Sequence, residues 1–444
     1  MQLSDYLDKG ASLQPDAPCL TTDGETRTYA EVQELSRRIA AALARQGIAP
    51  GDTVAILSAN DPVAFTTVFG ISRLGAVWCP INPRNEAAEN RELLDLFDCK
   101  ALVFQASYAG LVARIRDDLP ALTTLVCLDA EVDGALTWTE FLGAGSASSD
   151  ADSSSNQPID DRGASFDGER DAHDLAMIVG TGGTTGRPKG VELTGTNLET
   201  MSAITLMSYP FEGRPVYLAL APLTHAAGVL CFPVLVLGGE VVVMRTPDVG
   251  AFLEHVERHR VTHTFLPPTL IYMVLAHPAL DSTDLSSLQC FWYGAAPMSA
   301  TRLEEALTRI GPVMAQLFGQ TEAPMMISTM APRDHFLEDG TVARERLSSA
   351  GRPAPLVTVQ IMAEDGSLLP LGERGEIVVR SSLVMAGYHR DPEATAAASA
   401  HGWHHTGDIG FLDEDNFLHI VDRAKDMVIT GGFNVYSTEV EQAL

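Results

Sequence analysis

The residues with the clearest chemical potential lie together in residues 181–190, TGGTTGRPKG. Glycine lets the backbone turn through positive φ and approach a ligand closely, threonine adds hydroxyl donors, and Lys189 adds a positive charge. This combination is typical of a loop that holds a polyphosphate, whereas a plain surface turn would explain only the glycines. It is not a Walker loop, because Pro188 precedes the lysine and Gly190 follows it. The candidate phosphate-binding residues are Thr181, Gly182, Gly183, Thr184, Thr185, Gly186 and Lys189.

The elements that must position this loop alternate along the chain. Residues 28–46 predict an amphipathic helix that begins at a capping box formed by Thr28 and Glu31. Further helices are predicted at residues 62–74 and 85–97, and the apolar runs that predict strands are 53–58, 76–81, 101–104, 175–179, 216–219, 241–244, 261–265, 290–293 and 313–317. Strands and helices at this spacing predict an α/β fold of stacked parallel sheet layers. Turn signals around residues 358–362 and 376–380 predict an additional small antiparallel β subdomain.

Composition narrows the class of protein. A chain of 444 residues is too long for one compact core, so at least two subdomains are expected. The net charge of -28 argues against nucleic acid and anionic membrane surfaces as partners. The six cysteines contain no C-x-x-C pair, which favours buried thiols in a reducing compartment such as the cytoplasm. We expect neither a secretion signal nor a membrane span.

One segment departs from this pattern. Residues 143–174 are acidic, rich in serine and nearly free of large apolar side chains. Such a composition predicts a flexible surface linker just before the phosphate loop.

Seven segments, taken together, resemble the adenylate-forming superfamily of acyl-CoA synthetases, peptide-synthetase adenylation domains and luciferases. They are TGGTTGRPKG at 181, APLTHAAG at 221, YGAAPMS at 293, LFGQTEAP at 317, LGERGEIVVR at 371, WHHTGDIG at 403 and DRAKDMVITGGFNVYSTEVE at 422. The resemblance covers residues 29–444. It implies a two-step reaction, in which a carboxylate attacks the α-phosphate of ATP to give acyl-AMP and a thiol then displaces AMP. The implied cofactors are ATP, Mg²⁺ and CoA.

The resemblance assigns roles around the nucleotide. Thr181, Thr184 and Lys189 would hold the β- and γ-phosphates, Thr321 the α-phosphate, and Glu322 the Mg²⁺ ion. Asp408 would accept the ribose hydroxyls beside Ile420 and Arg423, and Phe318 would stack on adenine. The remaining residues implied at the nucleotide are Gly294, Ala295, Ala296, Pro297, Gly319 and Gln320.

The sequence places Thr321 and Glu322 after a strand and a tight turn at Gly319. Taken alone, Thr321–Glu322 would suit a helix start, Phe318 a core residue and Asp408 a β-turn.

The acid would bind beside His225, which the resemblance places next to the reacting carboxylate. Alone, a histidine at the head of an apolar helix would be a capping or core residue. The predicted pocket residues are small or flexible and leave room for a bulky cyclic, aromatic or fatty acid. They are His225, Ala226, Ala227, Gly228, Tyr293, Gly294, Ala295, Ala323 and Met325.

The resemblance also divides the chain into domains. Residues 1–421 would form the N-terminal adenylate-forming domain, and residues 422–444 the hinge, with Lys425 as its pivot, and the beginning of a small C-terminal domain. In the family that domain continues for roughly a hundred residues and carries a catalytic lysine. We therefore expect a truncated or proteolysed form, or a chain in which adenylation is severely weakened.

The favoured hypothesis is an acid:CoA ligase that uses a small-molecule carboxylic acid. One alternative is an acyl-AMP ligase that loads an acyl carrier protein, and another is a non-catalytic protein that binds ATP or acyl-AMP. A luciferase-like oxidase fits less well, since no residue specifically indicates oxygen chemistry. A homodimer remains open.

Overall fold

The computed structural model describes residues 1–143, 171–181, 188–223, 226–423, 428–430 and 433–435, and only the backbone at 226–227, 428–430 and 433–435. The chain divides into two compact units, Met1–Gly195 and Thr196–Leu444. The domain boundary predicted after residue 421 stays a prediction. Most of the predicted acidic linker, residues 144–170, lies outside the described residues.

The first unit alternates helices and strands. Its helices are α1 (Leu3–Leu13), α2 (Tyr29–Arg45), α3 (Pro62–Leu74), α4 (Ala87–Leu96), α5 (Ala109–Ile115) and α6 (Trp138–Phe141). Its strands are β1 (Pro18–Thr22), β2 (Glu25–Thr28), β3 (Thr53–Leu57), β4 (Val77–Ile81), β5 (Ala101–Phe104), β6 (Thr124–Cys127), β7 (Leu136–Thr137), β8 (Leu175–Thr181) and β9 (Lys189–Thr194).

Local chemistry explains where these helices begin. The predicted capping box at α2 is present: the Glu31 amide donates to the Thr28 hydroxyl at 3.3 Å, and the Thr28 amide donates to the Glu31 carboxylate at 2.8 Å. Helix α3 begins at Asp61, whose carboxylate accepts from two backbone amides, and ends at Gly75 with φ of 80°.

The main sheet of the first unit is largely parallel. Within the unit its strand order is β9–β8–β4–β3–β5–β6–β7. Strands β3, β4, β5 and β6 run parallel, and β9 is antiparallel to β8. Every residue of β3 and β4 is buried, as expected of parallel strands covered on both faces. The predicted parallel α/β layer is confirmed.

The second unit repeats this plan and adds a smaller sheet. Its helices are α7 (Gly195–Ser208), α8 (Ala226–Val236), α9 (Val249–Arg258), α10 (Pro268–Ala276), α11 (Ala300–Arg309) and α12 (Pro392–Ala398). Its strands are β10 (Val216–Ala219), β11 (Glu240–Val243), β12 (His263–Leu266), β13 (Cys290–Tyr293), β14 (Met314–Gln320), β15 (Ala323–Met330), β16 (Arg352–Pro353), β17 (Thr358–Met362), β18 (Gly375–Arg380), β19 (Gly387–Tyr388), β20 (His404–Leu412), β21 (Leu418–Arg423), β22 (Val428–Thr430) and β23 (Phe433–Val435).

Most strands of the second unit belong to two sheets, and β22 and β23 form a separate two-stranded sheet. The larger has the order β16–β15–β14–β13–β12–β10–β11 within the unit, parallel from β11 to β14 and antiparallel from β14 to β16. The smaller, β17–β18–β20–β21, is antiparallel throughout, which confirms the predicted small subdomain. Helices α9, α10 and α11 contribute to one apolar cluster with the larger sheet.

Two further predictions can be compared with the fold. All six cysteines are buried and free, as predicted. Among the residues that the structure describes, no helix combines the length and apolar character needed to cross a membrane.

Candidate active site

The predicted phosphate loop connects β8 to β9 in the first unit. These strands are antiparallel, and Thr181 and Lys189 are register partners at the end of the pairing. The Thr181 hydroxyl lies 3.5 Å from the Lys189 carbonyl oxygen, in the orientation of a donor. The predicted strand before the loop is therefore present. Gly182, Gly183, Thr184, Thr185 and Gly186 lie outside the described residues.

In the second unit, Thr321 and Glu322 form the connection between β14 and β15. Gln320 and Ala323 are register partners, so only two residues make the turn. The prediction of a tight turn at Gly319 was wrong. Gly319 belongs to β14, at a register shift between Phe318 and Gln320, and the turn follows two residues later. The hairpin comes so close to itself there that a Cβ on Gly319 would lie 2.5 Å from the Met325 backbone nitrogen.

The Glu322 carboxylate is fixed by a segment distant in sequence. The Tyr388 hydroxyl donates to Glu322 Oε1 at 2.8 Å, and the Met385 amide donates to the Glu322 carbonyl oxygen at 2.7 Å. Burial and the neighbouring Glu322 carboxylate raise the pKa of Tyr388. Among the described residues, Glu322 Oε2 has no hydrogen-bond partner.

Asp408 lies at the centre of β20, opposite Arg423 on β21. Its Oδ1 is 3.0 Å from Arg423 Nε, and the two side chains are 4% and 57% exposed, respectively. Ile420, also on β21, is half-buried. The smaller sheet thus presents one buried carboxylate beside one exposed guanidinium.

The electrostatic surroundings of Asp408 disfavour its charged form. Burial is the main cause, and it raises the pKa of Asp408 to about 6. Arg423 opposes this effect, whereas the carboxylates of Glu322 and Glu376 add to it. Three acidic groups of the second unit therefore act on one another electrostatically.

Glu376, on β18, supports the turn before Asp408. Its carboxylate accepts from the Gly407 amide at 3.0 Å and pairs with His405 Nδ1 at 2.7 Å. The Thr406 hydroxyl donates to the Ile377 carbonyl oxygen at 2.7 Å and lies 3.1 Å from the Asp408 amide, which donates to it. These bonds fix the backbone that carries the Asp408 carboxylate.

A buried histidine connects this strand to the Thr321–Glu322 hairpin. The Gln320 side-chain amide donates to His404 Nε2 at 2.7 Å. Burial, with a contribution from His405, lowers the pKa of His404 to about 4 against the influence of Glu376. The ring is therefore neutral near pH 7 and can accept this bond.

The predicted adenine-binding turn shows constrained backbone. Ala295 has φ of 65°, a conformation that a non-glycine residue adopts at a cost. A Cβ on Gly294 would lie 2.4 Å from the Leu317 carbonyl oxygen, so only glycine fits. Ala295, Ala296 and Pro297 are exposed and Phe318 is half-buried. The turn and the ring remain accessible in part, as stacking of a base would require.

The predicted acyl-pocket residues differ in their surroundings. Gly228 follows Leu223 so closely that a Cβ would lie 1.9 Å from the Leu223 carbonyl oxygen. Ala323 is buried, and Met325 has φ of 64°. Tyr293 is 1% exposed, belongs to the apolar cluster and bonds His335 Nε2 through its hydroxyl at 2.9 Å. This placement gives the predicted pocket role of Tyr293 no support.

Several predicted residues cannot be placed. His225 and Lys425 lie outside the described residues, and the side chains of Ala226 and Ala227 are not described. The backbone of α8 begins directly after His225, in agreement with the predicted position of this histidine at the head of an apolar helix.

The described residues could hold Mg²⁺ through a single carboxylate, but not through a cluster of protein side chains. The described residues contain no cluster of three or more His, Cys, Asp or Glu side chains able to hold a metal. Mg²⁺ commonly binds through one or two protein carboxylates together with substrate phosphates and water. Glu322, with Oε2 available, fits this arrangement.

Sequence reasoning missed the supporting contacts of Tyr388, Glu376 and His404. Glu376 lies in LGERGEIVVR and His404 in WHHTGDIG, so both segments were recognised while their contacts were not. The contacts of Glu376 arise because β18 pairs with β20, and the contact of Tyr388 arises because residues 385–388 lie close to the β14–β15 hairpin.

The chain belongs to the family of AMP-binding enzymes, whose model matches residues 7–389. The fold is that of adenylate-forming enzymes. The amide bond synthetase McbA from Marinactinospora thermotolerans superposes with a TM-score of 0.85 at 32% identity, over 99% of this chain and 82% of that chain.

Curated relatives of the chain are CoA ligases. A feruloyl-CoA synthase from Amycolatopsis sp is 36% identical over 98% of this chain and 81% of its own length. The medium/long-chain-fatty-acid–CoA ligase FadD8 of Mycobacterium tuberculosis is 42% identical over 60% of this chain, but the match covers 45% of its own length, less than half.

Proposed function

We propose that this protein is an ATP-dependent acid:CoA ligase. The observation that carries the proposal is Asp408, a buried carboxylate 3.0 Å from Arg423 with no hydrogen-bond partner for Oδ2 among the described side chains. A carboxylate is an acceptor-only group that can receive two ribose hydroxyls. Family membership and the CoA ligases among its relatives support the same function.

In the first half-reaction, a carboxylate oxygen of the acid attacks the α-phosphorus of ATP. A P–O bond forms, the bond to the bridging oxygen of the β-phosphate breaks, and pyrophosphate leaves. In the second, the CoA sulfur loses its proton to solvent and attacks the acyl carbon. A C–S bond forms, the C–O bond to AMP breaks, and AMP leaves. Both steps depend on charge stabilisation and positioning more than on acid–base chemistry.

The proposed roles follow the sites described above. Thr181, Thr184 and Lys189 bind the β- and γ-phosphates, and Thr321 binds the α-phosphate. Glu322 holds Mg²⁺, which neutralises phosphate charge when bound. Asp408 accepts the ribose hydroxyls, with Ile420 and Arg423 beside the sugar, and Phe318 stacks on adenine. Lys425 serves as the pivot between the half-reactions.

The proposed substrate is a bulky cyclic, aromatic or fatty acid. Small residues at 226, 227, 228 and 323 leave volume for such an acid. The relatives named for feruloyl and fatty acyl groups act on acids of this kind. The buried, reduced cysteines fit a protein of the cytoplasm.

The test is mass spectrometry of the products after incubation with ATP, Mg²⁺, CoA and a panel of aromatic, alicyclic and fatty acids. Acyl-CoA together with AMP is the expected product. Acyl-AMP without thioester would favour an acyl carrier protein as acceptor. Nucleotide binding without turnover, measured by calorimetry, would favour the non-catalytic binding protein. Failure to bind ATP or AMP would overturn the proposal.

A second candidate is an amide synthetase, in which an amine takes the place of the thiol. The superposition on McbA favours it. The same incubation with primary amines in place of CoA distinguishes the two, because only an amide synthetase would form the N-acyl product faster than acyl-AMP reacts with the amine in free solution.

A further inference from the structure

We infer that Tyr388 is a positioning residue for the Glu322 carboxylate. The inference rests on the proposed function, in which Glu322 binds Mg²⁺. Its geometric basis is the bond from the Tyr388 hydroxyl to Glu322 Oε1 at 2.8 Å. That bond engages one carboxylate oxygen and leaves Oε2 without a partner among the residues described.

The bond from Tyr388 fixes the Glu322 side chain, which the β14–β15 hairpin itself does not hold by hydrogen bonds to the carboxylate. Glu322 lies in a two-residue turn, and its carboxylate makes no other hydrogen bond to the described part of the chain. The amide of Met385 also donates to the Glu322 carbonyl oxygen at 2.7 Å. The segment 385–388 therefore holds both the backbone and the carboxylate of Glu322.

This segment is itself anchored on both sides. At its start, the Asn197 side-chain amide donates to the carbonyl oxygens of Ser382 and Val384 at 2.9 and 2.7 Å. At its end, the Tyr388 amide donates to the hydroxyl of Thr395, in the middle of α12, at 2.9 Å. Tyr388 thus approaches Glu322 from a fixed backbone.

A tyrosine hydroxyl suits this task chemically. It is a neutral donor, so it orients the carboxylate without cancelling the negative charge that a metal ion needs. An arginine or lysine in the same place would compete with Mg²⁺ for the carboxylate. Partners that orient a metal ligand affect metal affinity without touching the metal themselves.

The experiment measures ATP binding by calorimetry as a function of Mg²⁺ concentration, together with AMP binding in the absence of metal. For Tyr388→Phe we expect the Mg²⁺ concentration at half-maximal ATP binding to rise about 10- to 100-fold. Metal-free AMP affinity should stay unchanged. In a Glu322→Gln background, Tyr388→Phe should cause no further change, because the charged acceptor is already absent.

Tyr217→Phe is the matched control, since it removes a buried hydroxyl without a hydrogen-bond partner in the described structure. An unchanged Mg²⁺ requirement in Tyr388→Phe would overturn the inference while the proposed function stands. An equal loss of metal-free AMP affinity would show a merely structural role and would also overturn it. A wild-type protein that binds no nucleotide would overturn the proposed function, and the inference with it.

Discussion

The Asp408 carboxylate and the Arg423 guanidinium face each other across strands β20 and β21, with 3.0 Å between Oδ1 and Nε. The carboxylate is buried and the guanidinium is mostly exposed. A buried acceptor held on a sheet is suited to hold ribose hydroxyls, whereas an exposed arginine can reorient toward a phosphate. In the proposed function, this pair would therefore provide a fixed group and an adjustable one for the same nucleotide.

Asp408→Asn should weaken AMP binding by about 2 kcal/mol, the scale of a lost hydrogen bond to a charged group. An amide presents one acceptor oxygen and a donor, so it cannot offer a separate oxygen to each of two hydroxyls. Calorimetric titration with AMP measures the change. Asp413→Asn is the control, because Asp413, after β20, accepts bonds from Asp415 and Phe417 in the turn and from His419 on β21. Equal AMP affinity in Asp408→Asn and wild type would contradict the ribose role.

Adenosine affinity should fall as the pH drops below about 6, where Asp408 gains a proton. The protonated carboxyl loses its charge and one acceptor position. Adenosine is the appropriate ligand, because the phosphate of AMP itself titrates near this pH. Calorimetry between pH 5 and pH 8 tests the prediction, and Asp408→Asn should flatten the profile. A profile that remains equally steep in the variant would assign the titration to another group.

Asp408 should also destabilise the protein above pH 6. The pKa of Asp408 is about 6 in the folded state, above the ordinary aspartate value of 3.8, so the folded state binds the proton more tightly. This contribution to stability is present at low pH and is lost as the pH rises through 6. Asp408→Asn should therefore raise the free energy of unfolding at pH 8 by about 1–3 kcal/mol. The gain should be smaller at pH 5.

Urea unfolding at the two pH values measures this gain, and Asp413→Asn provides a control of opposite sign. Burial raises the pKa of Asp413, but bonds from His419 and from backbone amides outweigh it, so the net shift is downward. Its charged form is thus favoured in the folded state, and Asp413→Asn should lose stability at pH 8. A stability loss in Asp408→Asn at pH 8 would contradict the role of burial.

The sequence predicted helices and strands well where the spacing of side chains within one segment determines them. The capping box at Thr28 and the strand at residues 101–104 appear as predicted, because side-chain spacing within one segment determines each. The prediction of a turn at Gly319 was wrong because a contact with another strand explains the glycine there. That glycine is required by the close approach of the Met325 backbone on the next strand, not by a turn.

The sequence identified the segments that carry the candidate site residues, but it did not predict the contacts between those segments. Motif order indicated Glu322 and Asp408, but nothing local to FGQTE indicates Tyr388, 66 residues away along the chain. In the same way, Glu376 reaches Gly407 only because β18 and β20 pair. Contacts between distant strands depend on the packing of the whole unit and have no signature in a single sequence.

Glu322→Ala should abolish the Mg²⁺-dependent part of ATP binding without unfolding the protein. The variant removes the proposed metal ligand, and Glu322 is half-buried in a turn, so few packing contacts are lost. Calorimetry with and without Mg²⁺ measures the effect, and thermal unfolding checks the fold. Glu364→Ala, which removes an exposed glutamate of the second unit, is the control. Unchanged ATP affinity in Glu322→Ala would rule out the metal role.

Gly319→Ala should destabilise the hairpin that carries Thr321 and Glu322. The added methyl group would lie 2.5–2.7 Å from backbone atoms of Met325, and backbone cannot move aside as a flexible side chain can. We expect a loss of about 1–3 kcal/mol in the free energy of unfolding, the usual effect of overpacking.

Gly110→Ala is the matched control for this substitution. Gly110 lies in helix α5, and an added methyl group there would meet no atom within 4 Å. Alanine favours a helix over glycine, so the control should be neutral or slightly stabilising. Urea unfolding of both variants gives the comparison. If Gly319→Ala were as stable as Gly110→Ala, the β14–β15 hairpin would have to be looser at Met325 than the structure shows, and Glu322 would then depend on residues 385–388 alone for its position.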